Sequence, residues 1–83
     1  MKYTVLWVLA AEHELARLWM GAGQRYSVSG AANEIEKRLA ANPGNEGESR
    51  SRGQRILLIP PLGVTYEIAE DDRIVRVLDV WRF

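Results

Sequence analysis

Four charged residues in one short segment have side chains that could take part in acid–base or phosphate chemistry. They are Glu48, Arg50, Arg52 and Arg55. A glutamate carboxylate can act as a general base, and guanidinium groups can hold a phosphate while negative charge builds on it. Serine and glycine surround these residues, so the same segment is also typical of a solvated loop. Both interpretations stay open; the catalytic candidates are Glu48, Arg52 and Arg55, with Arg82 further along the chain.

The last three residues of the sequence combine two aromatic rings with one cation. Tryptophan and arginine are enriched in binding hot spots, and apolar rings at an unpaired chain end are costly to leave in water. These residues predict either a partner-binding surface or a cover for the helices. With the arginines of the charged segment they form the predicted partner-binding set: Arg50, Arg52, Arg55, Trp81, Arg82 and Phe83.

The composition excludes several kinds of site. There is no cysteine, so neither disulfides nor thiolate metal sites can form. His13 is the only histidine and lies between Glu12 and Glu14, which predicts an exposed side chain and no zinc cluster. We expect no metal and no cofactor. A net charge of zero argues against bulk binding of nucleic acid, although residues 49–66 carry +3 from three arginines and no acid.

The length of 83 residues predicts a single domain, residues 1–83. A chain of this size removes about 60–65% of its unfolded surface from water, so its stability margin is small. The apolar run from Val5 to Ala11 is too short to span a bilayer and lacks the layout of a signal peptide. We therefore expect a cytoplasmic protein with no membrane partner.

Hydrophobic periodicity predicts a strand followed by two helices. The run from Tyr3 to Leu9 is β-branched and aromatic with two apolar faces, which favours a strand covered on both sides. A helix begins near Ala11 and ends at the glycines 21 and 23. The second helix carries an apolar stripe, and a proline and a glycine end it. The stripe is Val28, Ala32, Ile35 and Leu39. Trp7 and Trp19 are assigned to the core.

The C-terminal half predicts a mobile or partner-ordered loop followed by three strands. Residues 42–53 form the loop, and Gln54 to Ile59 form a strand that ends at two prolines. Residues 62–69 and 74–81 alternate and are joined by an acidic turn, which predicts a hairpin. In the last strand, Ile74, Leu78 and Val80 are placed on one face. The fold class is therefore α+β, order β-α-α-β-β-β, with two helices on one face of a mainly antiparallel four-stranded sheet.

This element order, with the triplet Tyr66-Glu67-Ile68, the acidic turn and the valine-rich strand that follows it, resembles the RelE/ParE superfamily of small bacterial toxins. The resemblance implies a toxin of a type II toxin–antitoxin pair, neutralised by a cognate antitoxin. One branch of the family cleaves messenger RNA on the ribosome. The other branch binds DNA gyrase and stalls it without known catalysis.

Comparison with the nuclease branch favours the second of these activities. Positions that are often arginine in that branch fall at Leu58 and Gly63, Arg82 takes roughly the place of a histidine, and the sequence stops at Phe83, before a terminal tyrosine. We therefore expect inhibition by protein–protein contact, with gyrase as the target that the family suggests. The alternatives are a ribosome-dependent RNA endonuclease that uses the Glu48 to Arg55 segment, and a degenerate toxin that only binds its antitoxin.

Overall fold

The structure is a computed structural model that describes residues 2–83. Its helices and strands follow one another in the order predicted, with one extra strand. The elements are β1 (Thr4–Trp7), α1 (Leu9–Gly21), α2 (Arg25–Ala41), β2 (Glu48–Ser49), β3 (Gln54–Ile59), β4 (Leu62–Ala69) and β5 (Ile74–Arg82). Short 3-10 turns at Pro43–Asn45 and Ser51–Gly53 flank β2. No helix among residues 2–83 is long and apolar enough to cross a membrane.

The five strands form one mixed sheet in the order β1-β5-β4-β3-β2. The predicted hairpin of β4 and β5 is confirmed, with Ala69 opposite Ile74 across the acidic turn. β3 pairs antiparallel with β4, and β1 runs parallel to β5 at the other edge. The prediction of four strands was one strand short. The loop predicted at residues 42–53 contains β2, which pairs with the start of β3 at Glu48 and Ser49.

Both helices pack on one face of the sheet, as predicted. α1 contacts β5 and β1, while α2 contacts β1, β3 and β4. From α2 the core takes Val28, Ala31, Ile35 and Leu39, and from the sheet it takes Leu57, Leu62, Val64, Tyr66, Val75, Val77 and Val80. Ala32, which the predicted stripe included, is only partly buried; the fourth buried position is Ala31.

The opposite side of the sheet, which we call the open face, has no helix on it. Alternation along the strands places Leu6, Leu58, Thr65, Arg76 and Trp81 there, since their neighbours in sequence point to the core. The expectation that β1 is covered on both sides was wrong. β1 is an edge strand, and Leu6 on its open face is 46% exposed.

A break in the β4–β5 register changes which residues of β5 face the core. Thr65 is opposite Asp79, but Tyr66 is opposite Val77, so Leu78 is an extra residue in β5. Such a bulge reverses the alternation beyond it. Val75, Val77 and Val80 are therefore all buried, and the prediction that Val80 shares a face with Ile74 was wrong.

Candidate functional site

The two groups of predicted site residues lie at opposite ends of the sheet. Arg50 and Arg52 precede Gln54, which is opposite Glu67; this is the turn end, next to the β4–β5 turn. Arg82 is opposite Leu62 at the other end, the proline end, which contains Pro60 and Pro61. β3 joins the two ends and covers about 17 Å at about 3.3 Å per residue. The structure therefore does not bring the predicted partner-binding set together at one place.

At the turn end, Glu48 lies on the short edge strand with its side chain 77% exposed. Arg50 approaches it at 3.8 Å between Nη2 and Oε2, and also donates to the carbonyl oxygen of Ser49. Arg52 is exposed and has a φ of +62°, a left-handed conformation at the tip of the β2–β3 connection. Glu48, Arg50 and Arg52 therefore lie close in sequence at the exposed end of the sheet, and only Glu48 and Arg50 approach each other.

Arg55 differs from its neighbours because its guanidinium is tied to the backbone. Its Nε donates to the carbonyl oxygen of Glu46 at 3.0 Å, and its Nη2 donates to that of Gly47 at 3.3 Å. Gly47 has a φ of +65°, and a Cβ there would lie 2.3 Å from the carbonyl oxygen of Ile56. The segment before β2 thus lies directly against β3, and Arg55 contributes to holding it there.

Tyr66 takes part in the same contact from inside the core. Its hydroxyl lies 2.9 Å from the carbonyl oxygen of Pro43 and 2.7 Å from that of Glu46, and it donates to them. Burial raises the pKa of the Tyr66 phenol, while the hydrogen bond and the charge of Arg55 lower it. A phenol is protonated at neutral pH, and a raised pKa extends that range further, so the Tyr66 hydroxyl stays a donor. This tyrosine packs the sheet and anchors the loop.

Replacing Tyr66 with phenylalanine is expected to lower the free energy of unfolding by about 1–3 kcal/mol. The substitution keeps the buried ring but leaves the carbonyl oxygens of Pro43 and Glu46 without their donor. Urea denaturation of the two proteins measures the difference. Tyr26→Phe is the matched control, because Tyr26 is 94% exposed and its loss of a hydroxyl should have no effect. Equal stability of wild type and Tyr66→Phe would show that the anchor is unimportant.

At the proline end, one row of three paired residues crosses the open face. Leu58 on β3 is opposite Gly63 on β4, and Gly63 is opposite Trp81 on β5. The Trp81 ring lies directly over Gly63, since a Cβ at position 63 would be 2.5 Å from the ring. Leu58 is 53% exposed beside it. We call Leu58, Gly63 and Trp81 the apolar row; none of its side chains can carry a charge or accept a proton at neutral pH.

Arg82 and Phe83 follow Trp81 at the proline end of the sheet. Arg82 is paired with buried Leu62, so both side chains are on the helix side of the sheet. Arg82 lines a cavity beside the start of α2. Phe83 is 58% exposed and its backbone N–H donates to the carbonyl oxygen of Pro61 at 2.9 Å. The proline end therefore presents half-buried Trp81, exposed Phe83 and one arginine, whereas the cluster at the turn end is purely polar.

A further exposed group lies where α1 meets α2, and the sequence interpretation missed it. Trp19, assigned to the core, is 39% exposed; its Nε1 donates to the Ser29 hydroxyl at 2.9 Å. The Arg25 guanidinium lies 4.5 Å from the Trp19 ring centre, and Met20 and Tyr26 are exposed nearby in sequence. Trp19 falls at helical spacing with the apolar stripe of α1, and that signal misled the core assignment.

The chain resembles known proteins in three-dimensional structure and not in sequence. No protein-family model matches the chain, and no curated protein matches its sequence. A chain of the toxin–antitoxin complex RelBE2 from Mycobacterium tuberculosis superposes with a TM-score of 0.84 at 19% identity, over 100% of this chain and 93% of that one.

Two further structures have the same architecture. A mutant of the E. coli toxin RelE in the free state gives a TM-score of 0.74 at 15% identity, over 99% of this chain and 84% of that one. A chain of the chromosomal ParDE system of P. aeruginosa gives 0.71 at 18% identity, over 98% and 96%. The chain therefore has the fold that these RelBE2, RelE and ParDE chains share, which is the fold that the sequence resemblance implied.

Proposed function

We propose that the protein is the toxin of a type II toxin–antitoxin module, that it acts in the bacterial cytoplasm by protein–protein inhibition, and that a cognate antitoxin neutralises it. The fold it shares with the toxin RelE and with chains of the RelBE2 and ParDE systems supports a toxin. The target suggested by the ParE-like branch is DNA gyrase. The observation that carries the mode of action is the apolar row on the open face.

The apolar row stands where the resemblance would place phosphate-binding cations. Cleavage of RNA through its 2′-hydroxyl needs a proton acceptor, a proton donor and cations near the phosphate. Leu58 and Gly63 supply none of these, and the Trp81 ring fills the space above Gly63. An exposed leucine beside a half-buried tryptophan is instead the composition of a protein-binding surface.

A ribosome-dependent nuclease is the second candidate, and the cluster of Glu48, Arg50 and Arg52 favours it. A carboxylate 3.8 Å from a guanidinium, with a second arginine two residues along the chain, could abstract a proton and hold a phosphate. Its high exposure argues against it, because water screens the charges and does not hold a substrate in place. The distance from Arg82 also means that the four catalytic candidates cannot act on one bond.

Gyrase inhibition and messenger RNA cleavage are tested by induced expression in bacteria and by assays of the purified protein with gyrase and with ribosomes. We expect growth arrest, inhibition of DNA supercoiling by purified gyrase, and intact messenger RNA when the protein is added to ribosomes. Glu48→Ala should retain full growth inhibition. Messenger RNA cut by the wild type but not by Glu48→Ala would establish the nuclease and refute the proposal. Absence of growth arrest would identify a degenerate toxin, provided that the neighbouring reading frame encodes a protein that binds this chain.

We expect the antitoxin to dock an acidic segment on the exposed arginines of the turn end, Arg50 and Arg52, because residues 49–66 carry +3 and no acid. Reversing both charges with Arg50→Glu and Arg52→Glu is expected to weaken the complex about tenfold at low salt and less at high salt, because mobile ions screen exposed charges. The measurement is an affinity series at two ionic strengths with the product of the neighbouring gene. Lys37→Glu, on an exposed position of α2, is the control. Unchanged affinity at low salt would leave the cluster as a solvated loop.

A further inference from the structure

A cavity of about 650 Å³ lies at the proline end, between the start of α2 and the connection from β3 to β4. It is on the helix side of the sheet, so it is separate from the apolar row on the open face. Its polar lining includes Gln24, Ser27 and Arg82. Its apolar floor includes Ala31, Ile59 and Pro61. Its volume is in the range of sites that hold a small molecule or one side chain of a partner.

Arg82 is the one charged residue in the lining of this cavity. Seven of the nine arginines in the chain contact a carboxylate, a backbone carbonyl or an aromatic ring. Within residues 2–83, Arg52 and Arg82 make no such contact, and of these two only Arg82 lines the cavity. A guanidinium with free donors beside an acid-free cavity is available to an anion from outside the chain.

The remaining lining restricts what that anion can be. A single cation in a protein of zero net charge is a poor site for a polyanion such as RNA, whose binding depends on several phosphate contacts. The floor of Ala31, Ile59 and Pro61 favours an apolar group next to the charge. The Ser27 hydroxyl donates to the Gln24 side-chain oxygen at 3.4 Å, which leaves the N–H groups of the Gln24 amide to donate to a second oxygen. A carboxylate carried on a short alkyl chain matches all three features.

We propose that this cavity binds the side chain of an aspartate or glutamate of a protein partner, with Arg82 pairing to the carboxylate and an apolar neighbour of that residue covering Ile59 and Pro61. This site lies on the other side of the sheet from the apolar row and at the other end from Arg50 and Arg52. The assignment stands on the cavity and its charge, whether or not the protein is a toxin.

The test is an NMR titration of the full chain with three probes. They are the capped dipeptide acetyl-leucyl-glutamate amide, its glutamine counterpart, and inorganic phosphate. We expect the glutamate probe to shift the backbone amides of Gly23, Ser27 and Gly30 several-fold more than the glutamine probe does. Arg82→Gln should remove this difference. Arg76→Gln, which removes a cation from the open face, should preserve it.

Three results would overturn the proposal. Equal shifts with the glutamate and glutamine probes would show that the carboxylate is not recognised. An unchanged glutamate titration in a folded Arg82→Gln protein would show that another group holds the probe. Phosphate shifts as large as those of the glutamate probe, at the same concentration, would identify a general oxyanion site instead of a peptide site.

Discussion

Replacing Ile35 with alanine is expected to lower the free energy of unfolding by about 2–5 kcal/mol, because it removes three buried carbon atoms and leaves a cavity. Ile35 is fully buried on α2 and belongs to the core between that helix and the sheet. A chain of 83 residues has a total stability of roughly 4–12 kcal/mol. The substitution therefore removes a large share of it, and chemical denaturation measures the loss.

Lys37→Ala on the same helix is the matched control for Ile35→Ala. Lys37 is exposed, so its replacement should change the unfolding free energy by less than about 0.5 kcal/mol. A bound antitoxin should restore part of the stability that Ile35→Ala loses, because a ligand of the native state stabilises it by mass action. A loss below about 1 kcal/mol for Ile35→Ala would mean that α2 is not packed on the sheet as described.

The hairpin and α2 could be predicted from sequence because their signals are local. Period-two alternation from Val64 to Ile68 and helical spacing from Val28 to Leu39 each report one element and its buried face. The pairing of β1 with β5 could not be predicted in this way. Parallel neighbours are far apart in the chain, and nothing in the run from Thr4 to Trp7 specifies which strand it joins.

Two features of the sheet were missed because they are too small to leave a periodic signal. β2 has two residues, and its place against β3 depends on the close approach of Gly47 to Ile56. The bulge at Leu78 is a single extra residue, yet it decides that Val80 faces the core. In a valine-rich strand the hydrophobic pattern does not reveal such a shift, because the buried face is apolar in either register.

The arrangement of the candidate site also could not be predicted from sequence, because it depends on how distant segments pair. Sequence patterns found the residues that are conspicuous by type, the arginine cluster and the aromatic chain end, but not the distance between them. That distance depends on the strand register, which puts Arg52 and Arg82 at opposite ends of the sheet. The apolar row depends on register as well, because Leu58, Gly63 and Trp81 meet only through the pairing of three strands.

Replacing Trp81 with alanine is expected to weaken antitoxin binding by about 2–4 kcal/mol, or about 30- to 1,000-fold in affinity. The Trp81 ring is half-buried over Gly63 and lies in the apolar row with exposed Leu58. A partner that covers this row gains the burial of an aromatic ring already held in place by the sheet. The loss should be nearly independent of salt, unlike that of the arginine reversals, because it comes from apolar burial.

Two further variants separate binding from folding in this experiment. Trp81→Phe keeps an aromatic ring over Gly63 and should recover much of the affinity, while thermal unfolding of each variant shows whether the sheet is intact. Leu6→Ala is the matched control, since Leu6 is exposed on the same open face but on the edge strand β1. If Leu6→Ala weakens the complex and Trp81→Ala does not, the antitoxin covers the β1 edge of the sheet and the apolar row is free for the target.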